Sequence, residues 1–571
     1  MLTKLTIRNF KLFDEVEIEL ADRVVFVGPN NSGKTSALQA LALWDIGVKR
    51  WVERRGSGDI PEKRPGVTVN RRDLIAVPVP AANLLWRDLH TQQARQGGGT
   101  DKVYMEVEVE GVSDGKQWSC ALEFYYANEE SFYCRSMVRS GGGRMEVPAH
   151  AAELQLAYLP PMSGLAAIET RLDEGAIRVR LGEGRTAEVL RNLCWQVLQR
   201  KNGNETWKQL SGRMTALFGV QIEEPEYIKE RGEVVMSFRT ARGIPLDISS
   251  CGRGQQQTLL LLAHMAANPG AVLLLDEPDA HLEILRQRQI YQVLTETAAE
   301  TGSQIVAASH SEVILNEAAD RDTVVAFIGR PHRIDDRGSQ LLKALKEIGF
   351  EHYVQAEETG WVLYLEGSTD LAILRAFAEK LDHPVRAALE RPFVHYVGNQ
   401  PPKAQAHFYG LREAKGDLAG VALYDRLDGP APADPNLAQQ SWRRREIENY
   451  LCQRTTLLAW AEAQGRAQHG DLFAASWRDA MQRAIEEISA ALAALGKPDP
   501  WSPDLKASEE FLDPLFRKFY EAVKLPNLMR KTDYHTLAPY VATEEVDDEV
   551  REKLDAIASV AGKARSTGAG E

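Results

Sequence analysis

Residues 24–35, Val-Val-Phe-Val-Gly-Pro-Asn-Asn-Ser-Gly-Lys-Thr, restrict the fold more than any other stretch of this chain. The apolar run reads as a buried strand, and Gly28 to Thr35 fits GxxxxGK[ST], a loop that works only between a strand and a helix. Its glycines let successive backbone N–H groups converge on an anion, and a helix over 33–45 adds its dipole. The motif assigns Gly28, Asn30, Asn31, Ser32, Gly33, Lys34 and Thr35 to the phosphates of a nucleotide. Lys34 would neutralise the β- and γ-phosphates, and the Thr35 hydroxyl would ligate Mg²⁺.

A second element supplies the other half of such a site. Val272 to Leu275 reads as a buried strand that ends in Asp276 and Glu277. The first acid would hold the magnesium shell and the second would polarise the attacking water. Pro278-Asp279-Ala280-His281-Leu282 follows, and a further apolar strand ends in Ala308-Ser309-His310. With these residues the chain resembles the ABC ATPase superfamily, in the branch of chromosome-maintenance and DNA-repair ATPases. The resemblance implies that Asp279 belongs to a D-loop and that His310 is the switch histidine. It also implies an LSGGQ-like signature, matched here by Ser249-Ser250-Cys251-Gly252-Arg253-Gly254-Gln255-Gln256, with Cys251 and Arg253 interposed. Ser250 and Gly252 would then grip the γ-phosphate held by a second subunit, so self-association to a dimer or larger is expected.

The patterning organises the rest. Strands are expected at 3–9 and 15–20, a loop-like region at about 50–100, and antiparallel strands at 103–110 and 118–126 with a Gly-rich turn at 140–143. Helices follow at 186–201 and 205–218, with a strand pattern at 231–239. From 254 to 308 helix, strand, helix and strand alternate, which implies a parallel sheet with helices on its faces. Residues 350–360 are polar and unperiodic and read as a boundary. The expected organisation is therefore an α/β chain with an ATPase domain over 1–350, carrying an antiparallel β insertion at about 50–245. A parallel α/β domain with a helical C-terminal extension follows over 361–571. No internal repeat and no sustained heptad is visible, which excludes a long coiled-coil insertion.

The second domain has its own acids. Trp361 to Leu365 reads as a strand running into Glu366-Gly367-Ser368-Thr369-Asp370, and Val421 to Tyr424 as one ending in Asp425-Arg426-Leu427-Asp428. Acids at the ends of parallel strands meet at one sheet edge, where open α/β folds place their sites. Oxygen ligands of this kind suit Mg²⁺ or Mn²⁺. The layout resembles a Toprim domain, with Glu366-Gly367 as its first motif and Asp425 leading the second. Asp-x-x-Asp stands where the family has Asp-x-Asp. The resemblance extends to Arg445-Glu446-Ile447-Glu448-Asn449-Tyr450, so Glu366, Asp370, Asp425, Asp428, Glu446 and Glu448 form the expected metal set, with Lys531 beside it. An ABC ATPase followed by Toprim resembles the overcoming-lysogenisation-defect (OLD) nucleases, which include Gabija-type anti-phage nucleases. That likeness implies ATP, Mg²⁺ and possible Mn²⁺ use at the second site, DNA as substrate, a defence role and partner proteins of a defence system. Glu277, His310, Glu366, Asp425 and Lys531 would be its catalytic residues. The rival reading is an ATPase sensor whose Toprim-like half binds a partner without cleaving.

Composition narrows the setting. No apolar stretch approaches the roughly 18 residues of a membrane span, and the N-terminus alternates like a strand rather than a signal peptide. Five cysteines without a CxxC point to neither a disulfide framework nor a zinc site and fit a reducing cytoplasm. A net charge of −13 means that DNA contact must rest on local basic patches, such as Lys49–Arg72 and Arg443 to Arg445.

Overall fold

The computed structural model describes residues 1–56, 66–95, 100–138, 144–240, 242–319, 321–334 and 348–564. The chain divides into two compact units, Met1–Leu342 and Lys343–Glu571.

The first unit is built around the helix Lys34–Arg55. It continues past the expected end at 45 because Trp44, Val48 and Trp51 recur at helical spacing and are fully buried. One of the two six-stranded sheets that share its core is antiparallel, in the order Phe13–Glu19, Leu2–Phe10, Met105–Ser113, Lys116–Asn128, Ser131–Ser136, Val67–Asn70. The other runs Leu156–Leu159, Val272–Asp276, Gln304–Ser309, Arg23–Val27, Thr323–Ala326, His332–Arg333 and is parallel except for its last strand. Its central strands are apolar at nearly every position because helices and the first sheet cover both faces. A second core gathers Leu190, Trp207 and Met214 of the inserted helices against the helix Arg253–Ala267.

The second unit holds a four-stranded parallel sheet in the order Val394–Tyr396, Trp361–Leu365, Ala419–Tyr424, Leu437–Ser441. The helices that follow residue 454 pack on it through one continuous core containing Trp460, Trp477, Phe516 and Tyr534. The strand order reverses between Trp361–Leu365 and Ala419–Tyr424. The chain therefore leaves those two strands in opposite directions and opens a crevice at their C-terminal ends.

Several local expectations are corrected. Residues 350–360 are not unperiodic: Phe350–Thr359 is a helix that buries Phe350, Tyr353, Val354 and Ala356. The strands Ser131–Ser136 and Leu437–Ser441 were not anticipated, because the first follows a two-residue turn and the second is short and polar. Within the region expected to be loop-like, Val67–Asn70 is an edge strand. The Gly-rich turn at 140–143 lies outside the described residues, as do 57–65 of the first basic patch. Five of the described cations of the two patches are paired: Lys49 with Asp45, Arg50 with Glu53 and Asp73, Arg71 with Glu130, Arg443 with Glu552 and Arg444 with Asp547.

Candidate nucleotide site and carboxylate cluster

In the first unit, register brings the motifs together. Val27 lies beside Ser309, and Asp276 beside Ala308, so Gly28, Glu277 and His310 all leave the same edge of the parallel sheet. Gly28 and Gly33 adopt φ of 158° and 101°. A Cβ on Gly28 would stand 2.7 Å from the Phe327 carbonyl oxygen, and one on Gly33 would stand 2.8 Å from the Phe13 ring. No larger residue fits either position. The Lys34 ammonium donates to the carbonyls of Gly28 and Pro29, at 2.7 Å each, and so lies within the loop that would wrap the phosphates. Its burial lowers its pKa. Ser32 Oγ is buried without a partner, a polar atom directed at nothing in the protein.

The Thr35 hydroxyl donates to Asp276 Oδ1 at 3.0 Å, and the Tyr158 hydroxyl donates to Asp276 Oδ2 at 3.2 Å. Burial, with the charge of Glu277 adding to it, raises the Asp276 carboxyl to about 6. A carboxylate held this high beside a hydroxyl suits a cation that offsets the desolvation. Glu277 takes a left-handed backbone conformation with φ 47°, and its N–H donates to the Ala308 carbonyl. Its Oε1 lies 3.6 Å from His310 Nδ1, and both side chains are reachable by solvent. Asp279 is buried, and its pKa is raised by that burial.

The signature stretch is shaped by its glutamine. Gln256 Nε2 donates to the carbonyls of Ile248, Ser249 and Cys251 at 3.1–3.3 Å, which holds the turn before the helix Arg253–Ala267. Ser250, Gly252 and Arg253 remain exposed at the helix start. Gly254 packs against the loop after Glu277, where a Cβ would meet the His281 carbonyl at 3.1 Å. Sequence reasoning placed Gln256 in the signature stretch without a role of its own and did not single out Tyr158, which occupies no motif position.

In the second unit, Glu366 and Asp425 follow the two central strands and meet at the switch-point crevice. The Asp425 pKa is strongly raised, first by burial and then by the Glu366 carboxyl within hydrogen-bonding reach, with Asp370 and Glu448 adding their charge. The Glu448 carboxyl is raised by burial and by Glu446, and lowered by Lys531, whose Nζ lies 3.6 Å from Glu448 Oε1. That oxygen is buried and has no hydrogen-bond donor. Lys531 in turn is pulled upward by Glu448, Glu446 and Glu366, against the effect of its own burial.

The other expected ligands stand differently. Asp370 Oδ2 accepts from the N–H groups of Glu366 and Gly367, and its Oδ1 accepts from Thr369, so it braces the loop; burial raises it to about 6. Glu446 accepts from the Ser508 N–H. Asp428 is exposed, three residues beyond Asp425. Asn399, in the loop after Val394–Tyr396, has a buried side-chain oxygen with no partner, and the neighbouring Gly398 N–H donates to the Glu366 carbonyl. Its place at this edge depends on strand order. An orphaned Glu448 oxygen and carboxyls forced together fit a divalent cation, for which they supply oxygen donors.

Comparison with known proteins bears mainly on the first unit. Residues 209–316 match the family described as "AAA domain, putative AbiEii toxin, Type IV TA system", and residues 1–44 match the "AAA ATPase domain" family. A "Putative peptide import ATP-binding protein" of Brucella ovis is 27% identical over 177 residues, which is 28% of this chain and 52% of that protein. The chain thus spans about half the length of this relative. Among solved structures, an Smc head bound to the C-terminal winged-helix domain of ScpA aligns at 13% identity over 58% of this chain and 97% of that one, with a TM-score of 0.36. The SMC head domain from Thermotoga maritima aligns at 17% identity over 58% and 98%, with a TM-score of 0.31. These superpositions are too loose to carry an argument. The family and sequence matches make the first unit an ATPase domain of the AAA/ABC class. No helix among the described residues is long and apolar enough to cross a membrane.

Proposed function

We propose that the chain is an ATP-hydrolysing, divalent-metal-dependent DNA endonuclease of the OLD type, and that its second unit is a Toprim-like nuclease domain. The observation that carries this reading is the convergence of Glu366, Asp425 and Glu448, with Lys531 against them, at the switch point of a parallel sheet. Glu366, Asp425 and Glu448 would hold one or two Mg²⁺ or Mn²⁺ ions. A divalent ion so held supplies Lewis-acid stabilisation of the charge that develops during phosphodiester hydrolysis. Asp370 keeps the Glu366 loop in place through two backbone N–H groups, and Lys531 brings a cation to the side where a phosphate would approach.

In the first unit, Thr35 and Asp276 would hold the Mg²⁺ of ATP, Lys34 would neutralise the phosphates, and Glu277 would take the proton of the attacking water. His310, 3.6 Å from that carboxylate, would be the switch that contacts the γ-phosphate. The exposed Ser250 and Gly252 would complete the site of a second copy, so hydrolysis requires association. The proposed role in defence rests on the resemblance to the OLD nucleases.

Two observations favour the sensor reading, in which the second unit binds a partner and cuts nothing. Asp428 is exposed, and Asp370 spends its oxygens on the loop, which leaves fewer free carboxylates than the set expected from sequence. Plasmid DNA incubated with the purified chain, with and without ATP, Mg²⁺ and Mn²⁺, separates the two. Cleavage that disappears in Glu366→Ala and Asp425→Ala supports the nuclease. A wild-type chain inert on every DNA and metal tried leaves the sensor.

A further inference from the structure

A cluster of three histidines lies in the second unit, apart from the residues assigned to the carboxylate cluster. His352 comes from the helix Phe350–Thr359, His395 from the strand Val394–Tyr396, and His407 from the helix Pro401–Ala414. One side-chain nitrogen from each lies within 4.8 Å of the other two. His407 is buried, while His352 and His395 are half-buried and leave an approach from solvent.

Two hydrogen bonds fix how His407 and His352 stand. The Tyr364 hydroxyl meets His407 Nδ1 at 2.9 Å and fixes the ring, as outer partners of metal-bound imidazoles do. His407 Nε2 then faces His352 Nδ1 at 2.9 Å. Two imidazole nitrogens at that distance need either a proton or a cation between them. The N–H···N bond that this spacing implies carries a proton that an ion must displace, to solvent or, by a change of tautomer, to the far nitrogen of the donating ring. The rings of His395 and His407 stack at 3.8 Å with an interplanar angle of 7°, so their in-plane lone pairs run parallel and reach a common ion only after the two rings turn apart. Burial, with His395 and His352 adding to it, holds His407 down to about 3, and burial lowers His395 as well. Tetrahedral zinc at about 2.0–2.1 Å from each nitrogen separates its ligands by about 3.3 Å. The 2.9 Å pair therefore opens around an ion, and the His395 ring leaves its stack on His407 to bring its nitrogen in.

We propose that His352, His395 and His407 bind one divalent transition-metal ion of the zinc type, with a fourth position open to water. Three imidazoles without a carboxylate select zinc, cobalt, nickel or copper over magnesium. The ion joins two helices to the sheet beside Tyr364, which is in register with His395 and stands two residues before Glu366. It thereby fixes the strand that delivers Glu366 to its site.

The test uses the full chain carrying Glu366→Ala and Asp425→Ala, so that the carboxylate cluster contributes no metal. Titration with Co²⁺ should give a saturable visible ligand-field band at one equivalent per chain, displaced by Zn²⁺. His352→Ala and His395→Ala, both at half-buried positions, should each abolish the band while keeping the metal-free circular-dichroism spectrum and unfolding temperature. Zn²⁺ should raise the unfolding temperature of the parent by several degrees and that of neither histidine variant. No band in the parent, or a band of equal intensity in both histidine variants, overturns the proposal. Should either variant fail to fold, His395→Gln replaces it and is read the same way.

Discussion

Lys531 Nζ lies 3.6 Å from the buried Glu448 carboxylate, and Glu448, Glu446 and Glu366 all draw on its charge. An ammonium here offsets part of the repulsion among the acids, and on the nuclease reading it would meet an entering phosphate. Lys531→Ala should cut DNA cleavage by about 10²-fold, the size of a lost electrostatic stabiliser, and leave ATP turnover within a factor of about two. Cleavage kinetics of Lys531→Ala and Lys531→Arg check it. Equal loss of both activities would reduce Lys531 to a structural role.

The same cluster predicts a pH dependence of stability. Asp370 titrates near 6 in the folded chain, and Asp425 higher still, against about 4 for an ordinary carboxylate. Between those values the folded chain binds more protons than the unfolded one, so stability falls as pH rises through the window. In EDTA, Asp425→Asn should therefore unfold at a temperature about 2–4 °C above the parent at pH 8 and match it at pH 4. Mn²⁺ should raise the parent at pH 8 and leave Asp425→Asn nearly unmoved. Thermal melts at the two pH values decide this.

On the proposed reading Glu277 takes a proton and Lys34 holds phosphate, so their loss should be separable. Glu277→Gln should bind ATP and lose turnover by about 10²-fold or more. Lys34→Ala should lose nucleotide binding itself. Fluorescent-nucleotide titration alongside phosphate release reads both; near-normal turnover in Glu277→Gln would remove the proposed role.

Gln256 ties three carbonyls of the signature turn to its helix. Gln256→Ala leaves buried acceptors unpaired, which costs about 1–3 kcal/mol, and it should lower ATP turnover more than nucleotide binding. The composite-site reading adds that Lys34→Ala and Ser250→Ala chains, each inactive alone, recover hydrolysis when mixed. Light scattering that finds only monomer with ATP present would defeat that half of the prediction.

The amino-acid sequence by itself determined the elements whose physics is local. Val24 to Thr35 can only be strand, anion loop and helix, and Val272 to Glu277 can only be a buried strand ending in acids, because apolar period and glycine placement decide both. Glu366 and Asp425 were legible for the same reason, each closing an apolar strand. Tertiary structure alone decided which groups meet. Strand order put Glu366 beside Asp425 at the switch point, and the fold of the last third of the chain carried Lys531 to Glu448. It turned Asp370 onto backbone N–H groups and left Asp428 in solvent, a division that the spacing of four acids does not express. The three histidines show the limit most sharply. His352, His395 and His407 share no motif, and each sits on its own element. Only helix packing and strand register, which depend on contacts between residues distant in sequence, make them neighbours.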